Sequence, residues 1–133
     1  MLALTIPADG LEGEDNNSQY SSAVQAVVNF AGPADLTDQP GADGEAYVGA
    51  TLTARPDLYR KASPVTYVRS GGAPILTIQG DQDQNINQMI PFDKKMKEAG
   101  AVHTLIIKKG AGHQYSDTED PLVWDFLDTY LKK

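Results

Sequence analysis

The chain has 133 residues, with 11 Lys and Arg against 18 Asp and Glu, two His, no Cys and 41% apolar residues, which describes one globular domain with a modest core. Without cysteine, disulfide frameworks, Cys-ligated zinc, haem attachment and thiol catalysis are excluded. A net charge of −7 opposes nucleic acid and anionic membrane surfaces as partners, because both require clustered Lys and Arg to displace counterions.

In chain order, the apolar run Met1–Ile6 has no N-cap ahead of it and is broken by Pro7-Ala8-Asp9-Gly10, so it reads as the tail of a helix. Residues 11–22 are polar, rich in turn formers and without periodicity, and are expected to be a loop. They belong to a stretch, residues 1–54, that holds eight acids and no base, read as a solvated acidic surface rather than a docking face for something basic. Val24–Phe30 is β-branched and nearly continuously apolar, which predicts a strand buried on both faces. Residues 34–64, dense in Gly, Pro and Asp, predict an irregular excursion with one short helix over 45–52. Pro74–Gln79 predicts a second buried strand, introduced by Gly71-Gly72 and closed by Gly80. Over Asn87–Ala99, Met89, Phe92, Met96 and Ala99 fall on one helical face and Gly100 stands where a C′ glycine belongs. Val102–Lys108 predicts a third strand, ended by Gly110-Ala111-Gly112. Ser116 and Glu119 form a capping-box pattern, Pro121 sits in the first turn, and Leu122, Val123, Phe126, Leu127, Tyr130 and Leu131 make the apolar stripe of a C-terminal helix.

Strand and helix alternating at this spacing predict parallel strands joined by right-handed crossovers, an α/β layer structure. A sheet of three parallel strands exposes an edge, which predicts self-association or pairing with strands from elsewhere. In open parallel sheets functional groups gather beyond the carboxyl ends of the strands. There, Gly80-Asp81-Gln82-Asp83-Gln84-Asn85 and Gly110-Ala111-Gly112-His113 carry suitable residues. If their strands are neighbours, a carboxylate from the first loop reaches Nδ1 of His113, orienting the imidazole and stabilising its cation. The plain alternative is an exposed loop histidine with no role.

Other sites fail on inspection. Asp81-x-Asp83-x-Asn85 imitates the start of an EF-hand loop, but Ile86 replaces the required glycine and Phe92 the closing glutamate. No P-loop or dinucleotide fingerprint is present, and two distant histidines make no metal site, so neither cofactor nor metal is expected. Asp35 reads as a loop brace, with a place beside the site as the alternative. No run approaches the length of a membrane span and no basic signal-peptide region opens the chain, so no address is legible and the compartment is left open.

The run VQAVVNFAGPADL at 24–36, Ala62-Ser63-Pro64 with Tyr67-Val68, Ala73-Pro74 leading into Gly80-Asp81-Gln82-Asp83, Ala99-Gly100, and Gly110-Ala111-Gly112-His113 resemble, in order and spacing, the C-terminal half of an alpha/beta-hydrolase. The branch it looks most like is the esterase/lipase group of acetylxylan and feruloyl esterase-like (BD-FAE type) enzymes, related to prolyl oligopeptidase catalytic domains. The resemblance runs from Met1 to Lys133. It implies a three-layer partial fold in a single domain, with a short parallel sheet formed by the fold's last three strands and flanked by helices. It also implies Asp83 as catalytic acid, from the G-x-x-D turn, and His113 as catalytic histidine, from the G-x-G-H turn. Asp81 is then a turn-bonding residue, and His103 a partly buried or edge side chain.

Two departures stand out: Gln84-Asn85-Ile86-Asn87 follows Asp83 where the family usually continues with Val-Pro, and the nucleophile elbow G-x-S-x-G is absent. Met1–Ile6 resembles the helix that follows that elbow, and the oxyanion loop lies further upstream in the family. The reading is therefore a carboxylic ester hydrolase chain that carries the acid/base pair and is inactive alone, with a small ester or acylated carbohydrate as substrate and a copy of itself or a missing N-terminal half as partner. The alternatives are a non-catalytic remnant that oligomerises or binds, and a compact hydrolase using one of its own serines.

Overall fold

The computed structural model describes residues 1–12, 19–38, 42–114 and 116–132. Its elements are β1 (Val27–Phe30), α1 (Ala42–Val48), α2 (Pro56–Ala62), β2 (Ile75–Gly80), α3 (Ile86–Glu98), β3 (His103–Lys108) and α4 (Asp120–Leu131), with short 3-10 turns at Pro7–Asp9, Leu36–Asp38, Pro64–Tyr67 and Asp117–Glu119. The strands form one parallel sheet in the order β1-β2-β3. β1 and β2 are each followed by a segment long enough to cross back over the sheet, as parallel pairing requires.

Alternation of side chains along β2 splits the core into two layers. Ile75 packs with Met89, Phe92 and Met96 of α3 and with Ala3, Leu4 and Tyr67, while Leu76 and Ile78 pack on the opposite face with Phe126 of α4. All six residues of β2 are buried. Among the described residues, neither the oxygen nor the nitrogen of the fully enclosed Gln79 side chain has a hydrogen-bond partner.

The start of the chain is tied into this core. Met1–Leu4 form a single turn, Ala73 N–H donates to Ala3 O at 3.0 Å, and Arg69 reaches across to Asp9 at 2.8 Å. That guanidinium, bonded to the Asp9 carboxylate, holds it below the ordinary carboxylate range.

Several expectations are corrected. The strand expected over Val24–Phe30 and buried on both faces is shorter, Val27–Phe30, and half-buried, because it stands at the edge of the sheet. The excursion at 34–64 contains two helices, not one. The missed α2 had its signals: Pro56 at the first position, Asp57 in the first turn, and Arg60 and Lys61 at the end facing the dipole. In α4 the working stripe is narrower than expected: Val123, Phe126, Leu127 and Tyr130 pack, whereas Leu122 and Leu131 are exposed. Among the described residues no helix is long and apolar enough to cross a membrane.

Candidate active site

Gly80 and Lys108 are paired in register, so the segments that leave β2 and β3 emerge side by side at one end of the sheet. Two backbone hydrogen bonds and one to a side chain then sew them together. Asp81 N–H donates to Lys108 O at 3.0 Å, Gln82 N–H to Ala111 O at 2.9 Å, and Gly110 N–H to the Asp81 carboxylate at 2.7 Å. Asp81 thus bonds the two turns to each other. Glycine is required at position 80, because a Cβ there would overlap the carbonyl oxygens of Ala111 and Gly112.

This approach brings Asp83 and His113 together. Asp83 Oδ2 lies 2.6 Å from His113 Nδ1, with the Asp83 side chain wholly buried and that of His113 66% exposed. The other carboxylate oxygen accepts from Asn85 N–H at 2.7 Å. A carboxylate can only accept, so the imidazole carries its proton on Nδ1 and presents the Nε2 lone pair outward. That is the geometry of an oriented general base.

The far end of the histidine segment is pinned as well. Lys108 forms an ion pair with the buried Glu119 and donates to Ser116 Oγ at 3.2 Å. The Lys108 ammonium, helped by hydrogen bonds from Thr118 and Ser116 and opposed by burial, pushes the Glu119 carboxyl down to about 2. The capping box expected from Ser116 and Glu119 is therefore also an anchor for the turn that bears His113.

The remaining candidates fall elsewhere. Asp35 braces its own loop, accepting from Thr37 N–H at 2.8 Å and Thr37 Oγ1 at 2.6 Å. Ser63 is buried, donating to Tyr59 O at 2.7 Å and accepting from Leu36 N–H at 2.8 Å. Among the described residues no serine hydroxyl hydrogen-bonds His113; Ser18 lies outside them. A groove of about 570 Å³ lined by Met1, Leu2, Ile6, Tyr47 and Leu58 includes neither Asp83 nor His113. Among the described residues no cluster of three or more His, Asp or Glu is placed to hold a metal ion.

Sequence reasoning missed a second Asp–His pair. His103, expected to be partly buried or at an edge, stands on an edge strand with its side chain completely enclosed under α3. Its Nδ1 lies 2.9 Å from Asp93 and its Nε2 2.9 Å from Thr77 Oγ1, which in turn lies 3.4 Å from Asn29 Nδ2. Lys97 closes the row on Asp93 at 2.6 Å. The signal was present in Asp93 and Lys97 at i, i+4 on α3. It becomes legible only once α3 is laid on β3.

The α/β-hydrolase fold is shown by the solved structures that this chain resembles. A truncated carbohydrate esterase from gut microbiota is 27% identical with a TM-score of 0.75 over 89% of this chain and 46% of its own. A bifunctional GH43-CE protein of Bacteroides eggerthii is 25% identical with a TM-score of 0.72 over 84% of this chain and 17% of its own. A thermophilic esterase of Thermogutta terrifontis, Est2, is 21% identical with a TM-score of 0.66 over 90% of this chain and 47% of its own. The chain thus spans about half the length of Est2 and less of the bifunctional protein. No curated protein matches it by sequence. The BD-FAE family matches residues 1–96, and the chain belongs to that family, as a domain of esterase-like hydrolase type.

The buried pair sets a pH dependence. Burial pushes the His103 imidazole below its ordinary value against the opposing pull of Asp93, so the unfolded chain binds this proton more readily than the folded one. Stability is therefore expected to fall as pH drops below about 6.5, the ordinary value for histidine. Thermal unfolding followed from pH 7.5 to 5 tests this: His103→Gln is expected to flatten the dependence, and an unchanged slope contradicts the assignment.

Proposed function

We propose that the chain carries the acid/base pair of a carboxylic ester hydrolase, with Asp83 orienting His113 and the nucleophile supplied by a G-x-S-x-G segment that these 133 residues do not contain. The observation that carries the reading is the 2.6 Å contact between a buried carboxylate and an exposed imidazole. In such a site His113 Nε2 takes the proton of the attacking hydroxyl, the buried carboxylate stabilises the imidazolium, and the proton is returned to the leaving alcohol. The names of two similar structures, a carbohydrate esterase and a GH43-CE protein, favour an acylated carbohydrate as substrate.

Without an elbow serine and its oxyanion donors, the chain by itself offers only general-base assistance to water, about 10²- to 10⁴-fold over solvent. With p-nitrophenyl acetate this predicts slow, non-saturating hydrolysis without an acyl-enzyme burst, and a mass unchanged by serine-directed phosphonates. The residual rate is expected to fall in His113→Ala and to persist in Ser63→Ala and Ser70→Ala. Saturable turnover with stoichiometric labelling of one serine contradicts the proposal and favours a nucleophile within the chain.

A second reading, an associating module, is favoured by one observation: among the described residues, β1 has a neighbouring strand on one side only. An open strand edge is a template for pairing, and a second copy of the chain would cover it. Sedimentation is expected to show a dimer or larger species; a stable monomer at high protein concentration contradicts this.

A further inference from the structure

Asn85 stands at the N-cap of α3, the position where Asn is among the best residues because its side chain can accept from the first helical N–H groups, yet it makes no side-chain cap. It is buried, and its Nδ2 instead donates to Ala31 O at 2.8 Å, joining the turn that bears Asp83 to the end of β1. Its backbone N–H donates to Asp83 Oδ1 at 2.7 Å. One residue therefore holds the carboxylate with its main chain and anchors that main chain with its side chain.

The receiving side is built for the contact. Ala31 has φ +53°, the one non-glycine residue in the left-handed region among the described residues, a conformation that costs about 1 kcal/mol. Its N–H still donates to Ile78 O at 3.1 Å, so the ladder to β2 continues while the backbone turns away. Asn29 Oδ1 accepts from Gly32 N–H at 3.2 Å and secures the bend. Strain of this kind persists only where surrounding contacts hold it, and the Asn85 amide is one of them.

From this geometry we infer that Asn85 is a positioning residue for the Asp83–His113 pair, fixing the pitch of the acid turn through Ala31 so that Asp83 Oδ2 stays on His113 Nδ1. The inference rests on the proposed role of that pair and adds the element that aims it. Removing the Nδ2 donor takes away the bond of the acid turn to Ala31, leaving Gln88 as the tie between α3 and the segment after β1, and the carboxylate loses its alignment although Asp83 itself is untouched.

The test is the hydrogen-bonded imidazole Nδ1–H resonance in 15N-edited spectra of the full chain, recorded for the wild type, Asn85→Ala and the volume-preserving Asn85→Leu. His113 bonded to Asp83 and His103 bonded to Asp93 each give such a signal, assigned by His113→Ala and His103→Gln. The expected result is loss of the His113 resonance in both variants with the His103 resonance retained, since the second pair lies under α3 and reports the intact fold. Retention of the His113 resonance in either variant overturns the inference, as does simultaneous loss of both resonances in both variants, which is what a merely structural asparagine predicts. Absence of the His113 resonance from the wild type instead overturns the reading of the pair itself.

Discussion

The carbonyl oxygens of Ala111 and Gly112 occupy the space that a Cβ on residue 80 would need, so the turn after β3 lies directly on the end of β2. From that contact follow the bonds of Gln82 N–H to Ala111 O and of Gly110 N–H to Asp81, and from those the meeting of Asp83 and His113 across two loops. A methyl group at position 80 would have to lift the whole histidine segment, and overpacking of this order costs about 1–3 kcal/mol before any effect on the site. The pair is thus a consequence of backbone proximity, and its two side chains have different surroundings because one sits beneath the turn and the other on top of it. Burial keeps Asp83 from solvent, whereas His113 is exposed.

Anchors converge on this end of the sheet from three directions. Asn85 ties the acid turn to β1, Asp81 ties it to the histidine turn, and Lys108 with Glu119 and Ser116 ties the histidine turn to the entrance of α4. Glu119 titrates well below an ordinary glutamate, so its pairing persists as pH falls to about 2 and weakens only there. His103 behaves oppositely, neutral and enclosed, and holds α3 to β3 through Asp93. The two histidines of the chain therefore stand in opposite surroundings, one enclosed as a strut under α3 and one exposed beside Asp83.

Local signals in the sequence sufficed for the elements whose stability is local. The face of Met89, Phe92 and Met96 and the glycine at 100 with φ +71° appear where the pattern placed them, and the Ser116–Glu119 capping box forms on the 3-10 turn Asp117–Glu119 that leads into α4. Position in the sheet was less legible, because Val27 and Val28 read as apolar whichever side of the sheet they occupy; only the strand order makes β1 an edge. Asp93 and His103, ten residues apart, met through packing of a helix on a strand, which periodicity alone does not reveal. The meeting of Asp83, in its G-x-x-D turn, with His113, in its G-x-G-H turn, was expected from neighbouring strands and from resemblance, whereas the bond of Asn85 to Ala31 depends on how the acid turn lies against the end of β1 and has no local pattern.

The central proposal is that Asp83 acts through His113. A double-mutant cycle on the slow hydrolysis of an activated ester tests it most directly, with Asp83→Asn, His113→Ala and the double variant compared with the unmodified chain. The account predicts that Asp83→Asn lowers the rate when His113 is present and has no further effect when it is absent. An Asp83→Asn effect of equal size in the His113→Ala background would contradict it.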